Sequence, residues 1–259
     1  KLIDGINSFS YLALPLFVLS GAIMIYGATP RLMRFANMLL GRLPGGLGAA
    51  GCLGCGFFGA ISGSGVATTA SIGAIVGPEM VKQGYDKGFV ASLLAASGTL
   101  GLVIPPSICM VVYSQNASCS IGDMFLAGFI PGILAEILLA ILSVVVAKRR
   151  RYKQVSMGNI TTKDAIFITM DAFLPMLMPV IILGGTMSGI CTSTESAAIA
   201  TVYAFILAKF VYREMTWKSF YNTLVESGKS SASFLFIIAA SAPFGWVLTL
   251  ENFTSTLSN

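Results

Sequence analysis

Residues 43 to 81 place Ile61-Ser62-Gly63-Ser64-Gly65 between two apolar arms, each too brief to cross a bilayer. An arm of about 16 residues rises roughly 24 Å at ~1.5 Å per residue, against a hydrocarbon core of about 30 Å. The pattern predicts a hairpin that enters a membrane and leaves by the same face. Glycine and serine at membrane depth leave backbone N–H and C=O groups without helical partners. Hydrocarbon tolerates this only where protein, water or an ion satisfies them. The tip is therefore a candidate ion or substrate site. The alternative is a pair of short, tilted helices joined by an ordinary turn.

Composition agrees with a membrane setting. Hydrophobic residues make up 55% of the chain and charged residues 10%, with a mean hydropathy of +0.83, whereas soluble domains carry roughly 25% charge. Apolar runs recur near residues 10–29, 88–114, 122–147, 172–190, 196–212 and 230–250. Their length, and the absence of alternating polar positions, favours an all-α integral membrane protein over a membrane β-barrel. The chain starts at Lys1 and stops at Asn259 soon after an apolar run, which leads to the expectation of a fragment.

The formal charge of +5 does not point to nucleic acid, because the basic residues fall in short clusters between apolar runs. Arg31, Arg34 and Arg42 precede the hairpin, Lys82 and Lys87 follow it, and Lys148, Arg149, Arg150, Arg151, Lys153 and Lys163 form the strongest group. A re-entrant hairpin puts all three groups on one side, as the positive-inside rule requires. A single crossing would separate them; two full crossings would not. The basic stretch 148–164 is the expected cytoplasmic linker between a first unit, 1–147, and a second, 165–259.

Leu2-Ile3-Asp4-Gly5 leads through Ser8-Phe9-Ser10 into one span, and Leu224-Val225-Glu226-Ser227-Gly228 leads through Ser231-Ala232-Ser233 into another. The first span runs inward and the second outward, the relation that an inverted repeat requires. Chance likeness between two amphiphilic helix starts is the competing account. Under the repeat, a second hairpin should follow Asn259, so the second repeat is incomplete.

Ser97-Gly98-Thr99-Leu100-Gly101-Leu102-Val103-Ile104-Pro105-Pro106-Ser107 is the second unusual element. Adjacent prolines remove donors and clash with the preceding turn, so the helix across 88–114 should break there. Interrupted helices in transporters offer carbonyls to Na⁺ and helix N-termini to anionic groups; the plainer account is a proline kink. Sodium takes neutral oxygens. Ser62, Ser64, Thr68, Ser97 and Thr99 offer hydroxyls, and Gly59, Gly63, Gly98, Gly101, Ile104 and Pro106 lie where carbonyls are available.

Other candidates are weaker. The chain has no histidine, and its five cysteines include Cys52 and Cys55 at CxxC spacing among Gly, Leu and Phe, a packing pattern without a second pair. Acid–base catalysis has no obvious machinery, and no enzyme is expected. Glu136 lies inside an apolar run, and an intramembrane carboxylate is a functional candidate by default. Glu195 sits in Gly184 to Ser196, where Thr194 or Ser193 is the expected N-cap of a turn between two spans.

Taken in order, these motifs resemble the large membrane subunit of TRAP transporters, the tripartite ATP-independent periplasmic class. The resemblance rests on Asp4-Gly5 with Pro15-Leu16-Phe17, on Ile61 to Ala67, on Gly84-Tyr85, on Ala96 to Ser107, on Leu126-Ala127-Gly128-Phe129-Ile130-Pro131-Gly132, and on Gly189-Ile190-Cys191-Thr192-Ser193-Thr194-Glu195-Ser196-Ala197-Ala198. The family usually has proline where this chain has Ser193. The resemblance implies an elevator-type secondary transporter with opposed hairpins, in the bacterial inner membrane. It implies coupling to Na⁺, a periplasmic substrate-binding protein, and a small membrane subunit, separate or fused. Substrates would be organic acids such as C4-dicarboxylates or sialic acid. The first sodium site would lie between the Ser62-Gly63-Ser64 tip and the Gly101–Pro106 break, with Ser62, Ser64, Thr68, Thr99 and Ser107 near the substrate. A channel whose hairpin is a filter, or a non-transporting scaffold, are the readings from other classes.

Overall fold

The computed structural model describes residues 9–152 and 161–250. Within them the chain forms helices and no strand. After a 3₁₀ turn at Phe9–Leu12 come α1 (Ala13–Met24), α2 (Ala28–Leu40), α3 (Gly46–Ser62) and α4 (Gly65–Lys82). Then follow α5 (Lys87–Gly98), α6 (Leu100–Val103), α7 (Ile108–Asn116) and α8 (Ile121–Arg149). The rest is α9 (Thr162–Met187), α10 (Ser193–Ile206) with a π-helical turn at Leu207–Val211, and α11 (Trp217–Leu250). By length and composition four single helices can cross a membrane, α8 to α11, and two bent pairs raise the number to six. The chain is a multi-pass membrane protein.

The expected span at 10–29 holds α1 and breaks before α2, which runs on to Leu40. Gly27 takes φ +95°, a left-handed conformation that costs glycine little, and α1 and α2 bend there by 67°. Arg31 and Arg34 therefore sit on α2, whose Leu32, Met33 and Ala36 face inward, and not in a loop. The expected runs at 172–190 and 230–250 also begin earlier, at Thr162 and Trp217. Leu224 to Ser233 lies inside α11, where the Ser231 hydroxyl donates back to the Ser227 carbonyl at 2.7 Å. Leu2 to Ser8, Lys153 and the rest of the linker to 160 lie outside the described residues.

Glycine explains why α3 stands at the centre. A Cβ at Gly48 would strike Ser143 of α8, one at Gly54 would strike Met33 of α2, and one at Gly51 would meet Val76 of α4 at 3.2 Å. Each glycine costs about 1 kcal/mol of helix propensity against alanine but allows backbones to approach on every side. Ala197, Ala200 and Ala204 give α10 a similar face, all fully buried, and the Thr201 hydroxyl reaches the Leu16 carbonyl of α1 at 3.0 Å.

The base of the hairpin sits on the end of α8. Gly45 packs on Ala147, Tyr85 stacks on Tyr152 with ring centroids 4.3 Å apart, and Arg150 lies 3.6 Å from Asp86. Lys82 and Lys87 are thus gathered at the same end of the molecule as Lys148 to Arg151.

Candidate functional site

The chain reverses between α3 and α4 in two residues. Gly63, at φ +62°, donates its N–H to the Gly59 carbonyl at 2.8 Å and closes α3. Ser64 is extended, and its hydroxyl caps α4 by accepting from the Ala67 N–H at 3.4 Å. On the facing element, α6 ends at Val103, Ile104 is extended, the Pro105–Pro106 bond is cis, and Ser107 leads into α7. Neither proline carries an N–H, so the carbonyls of Gly101 and Leu102 lose their helical donors. The Ser107 hydroxyl takes the Leu102 carbonyl at 2.7 Å, which leaves the Gly101 carbonyl without that substitute.

The two interruptions meet. Ile108 donates its N–H to the Gly63 carbonyl at 3.3 Å, and a Cβ on Gly63 would stand 3.0 Å from the Pro106 carbonyl oxygen. A Cβ on Gly59 would lie 2.7 Å from the Gly101 Cα. Between them is a buried oxygen cluster. Ser62 Oγ and Thr68 Oγ1 are 3.0 Å apart, Thr68 Oγ1 donates to the Ser64 carbonyl at 2.8 Å, and Ser62 and Thr68 are 4% and 0% exposed. Gly101 borders it so closely that a Cβ there would stand 2.7 Å from Thr68 Oγ1 and 2.9 Å from the Ser64 carbonyl oxygen.

Helix ends give the junction its electrostatics. The C-termini of α3 and α6 bring carbonyl oxygens, and the N-termini of α4 and α7 bring N–H groups. The first pair favours a cation and the second an anion. Such an arrangement can hold both charges side by side. Hard cations of the sodium type accept neutral hydroxyl and carbonyl oxygens, and the cluster consists of these.

Not every candidate reaches the cluster. The Ser97 hydroxyl points at Cys52 Sγ, 3.2 Å away in the core between α5 and α3. Thr99 is exposed, bonds its own Ala96 carbonyl at 2.7 Å, and lines an outer pocket with Gly63 to Val66. Ile104 packs on Gly132 of α8, and Gly98 packs on Thr69 of α4. Ser107 is buried, its hydroxyl engaged with Leu102. The N-cap of α10 is Thr192 rather than Ser193 or Thr194, because Glu195 accepts the Thr192 N–H at 2.7 Å and Thr192 Oγ1 accepts the Glu195 N–H at 3.2 Å. That reciprocal pair engages the Glu195 carboxylate in the turn.

Helix α8 serves as a ruler for the depth of the tip. It is about 43 Å long at ~1.5 Å per residue. The hairpin base lies at Ala147, Gly56 lies against the Glu136 carboxylate, and the break at Ile104 lies against Gly132. Those 15 residues from Ala147 to Gly132 rise about 22 Å, so tip and break stop part-way along a helix that continues to Ile121.

The family model described as "Tripartite ATP-independent periplasmic transporter, DctM component" matches residues 1–259. The chain belongs to the DctM family. The C4-dicarboxylate TRAP transporter large permease protein DctM of Pseudomonas aeruginosa is 40% identical over 260 residues, covering 100% of this chain and 60% of the relative. The isethionate TRAP transporter permease protein DctMQ of Oleidesulfovibrio alaskensis is 40% identical over 256 residues, covering 98% and 40%. The sialic acid TRAP transporter large permease protein SiaM of Vibrio cholerae is 34% identical over 260 residues, covering 100% and 60%. This DctM chain thus spans at most about 60% of the length of these relatives.

Some residues around the candidate site had no clear signal in the sequence. Gly21 of α1 backs the tip, since a Cβ there would lie 2.8 Å from the Ser62 Cα. The only hint was a Ser20-Gly21 pair in an apolar run. Thr69, bonded to the Gly65 carbonyl at 2.8 Å, was hidden behind its neighbour Thr68.

Proposed function

We propose that this DctM-family chain is part of the large permease subunit of a Na⁺-coupled secondary transporter for organic acids, working by an elevator-type movement. The observation that carries the reading is the meeting of two interrupted helical elements around Ser62, Thr68 and the Ser64 carbonyl, with paired carbonyl ends and paired N–H ends. Sodium is cargo in this scheme. Bound by Ser62 Oγ, Thr68 Oγ1, the Ser64 carbonyl and the Gly101 carbonyl, it would offset the negative ends of α3 and α6. The acid group of the substrate could then settle against the N–H ends of α4 and α7. Without the cation, the neighbouring carbonyls repel that same group, which is the physical basis of coupling.

Depth along α8 supports a re-entrant hairpin, and the gathered basic residues at its base support placing that base in the cytoplasm of an inner-membrane protein. In this reading the hairpin and the broken helix belong to a moving unit. A second, inverted repeat, incomplete in these residues, would supply the opposite half. A periplasmic binding protein would deliver the substrate and a small membrane subunit would brace the scaffold within the bilayer. Relatives are named for C4-dicarboxylate, sialic acid and isethionate, and all three carry an acid group, which supports an organic acid as the substrate class.

The test is uptake by the full-length subunit with its partners in proteoliposomes, using radiolabelled acids of these three kinds with and without an inward Na⁺ gradient. Sodium-dependent uptake by the wild type, with the sodium requirement of Ser62→Ala raised about 5- to 150-fold, is expected, since a lost partner in a buried cluster costs roughly 1–3 kcal/mol. Uptake that ignores the gradient would overturn the proposal.

A further inference from the structure

A cleft of about 470 Å³ lies on the α1 side of the hairpin tip. One wall is α11, which presents Thr223, Glu226, Ser227 and Ser230 at the three- and four-residue spacing of a single helix face. Ser62 and Ser64 of the tip form part of the other wall. Ser62 thus borders both the buried oxygen cluster and this cleft.

Ser227 is the unsatisfied group in the wall of this cleft. It is only 5% exposed, and its Oγ has no hydrogen-bond partner among the described residues. One turn later Ser231 satisfies its hydroxyl on the Ser227 carbonyl, so a bond back along the helix is available to serines here and Ser227 does not use it. A buried hydroxyl left without a partner is destabilising, and native structures rarely leave one in that state. The lining of the cleft includes the Glu226 carboxylate but no lysine or arginine.

We propose that Glu226, Ser227 and Ser230 of α11 form, with the hairpin tip, a further cation site that takes Na⁺. The carboxylate excludes an anion, and one carboxylate among hydroxyls suits a monovalent ion better than Ca²⁺ or Mg²⁺, which gather more charged oxygens or ordered waters. A carboxylate beside the tip also raises the local sodium concentration where Ser62 is reached. The proposal rests on the sodium-coupled reading above and extends it to a residue on a different helix.

The test is equilibrium binding of ²²Na⁺ to the full-length transporter in detergent, alongside the sodium dependence of uptake in proteoliposomes. Glu226→Gln and Ser227→Ala are each expected to raise the sodium concentration for half-saturation about tenfold, the size of one lost charge-assisted contact. Ser227→Thr, which keeps the hydroxyl, should restore the wild-type isotherm. Should Glu226→Gln fail to assemble, the Ser227 pair decides. Binding isotherms that superimpose on wild type for Ser227→Ala overturn the site. A wild type that binds ²²Na⁺ through Glu226 yet takes up substrate without a gradient would instead overturn the coupling and leave the site standing.

Discussion

Replacing Gly101 with alanine tests the junction at its tightest point. The added methyl would stand 2.7 Å from Thr68 Oγ1 and 2.9 Å from the Ser64 carbonyl oxygen, where ordinary contact begins at 3.4 Å. One of the two elements must retreat by about 0.7 Å, and close-packed interiors yield little. Gly59 blocks one direction of retreat, because its own α-carbon side faces the Gly101 backbone at a separation that leaves no room for a Cβ. Overpacking of this kind costs about 1–3 kcal/mol. Borne by the proposed cation cluster, that is roughly a 5- to 150-fold rise in the sodium concentration for half-maximal uptake. The assay is uptake against sodium concentration in proteoliposomes, with assembly checked by size-exclusion chromatography. Gly73→Ala in the same hairpin is the control, since a Cβ there meets nothing within 4 Å, and it should leave the curve unmoved. An assembled Gly101→Ala transporter with the wild-type sodium curve would refute the argument.

Two further outcomes follow from the packing. Arg31 bonds Asp171 at 3.0 Å, Glu214 at 2.7 Å and the Gly27 carbonyl at 2.6 Å, and its guanidinium lies 3.8 Å from the Tyr212 ring centroid. Arg31→Lys is expected to lower the Tm in detergent almost as much as Arg31→Met, because an ammonium cannot serve this planar fork and ring together; full rescue by lysine would show that charge alone suffices. Glu136 packs its carboxylate on Gly56, with Oε1 unpartnered among the described residues. Glu136→Gln keeps the shape and should leave the Tm at or above wild type, since an unpaired buried charge does not stabilise; a fall of several degrees would reveal a partner for the acid.

Much of the fold was legible from the chain alone. Hydropathy located most of the apolar helices but not α2, the Ser-Gly-Ser turn and the proline pair located both interruptions, and the basic clusters grouped the hairpin base with the end of α8. These are local properties: apolar length, a missing N–H, a left-handed glycine. Boundaries were less legible where polar residues lie within helices, as at Leu224 to Ser233, where Ser231 and Ser233 bond back along the helix. Which oxygens meet was decided by tertiary structure. Ser62 and Ser97 look alike in sequence, yet one faces Thr68 and the other a cysteine, because the glycines of α3 set how closely, and at what rotation, α4, α5 and α8 cross it. Glu226 and Ser227 share a cleft with the tip for the same kind of reason: α11 packs beside α1, more than 150 residues along the chain from the tip, and no local pattern encodes that neighbour.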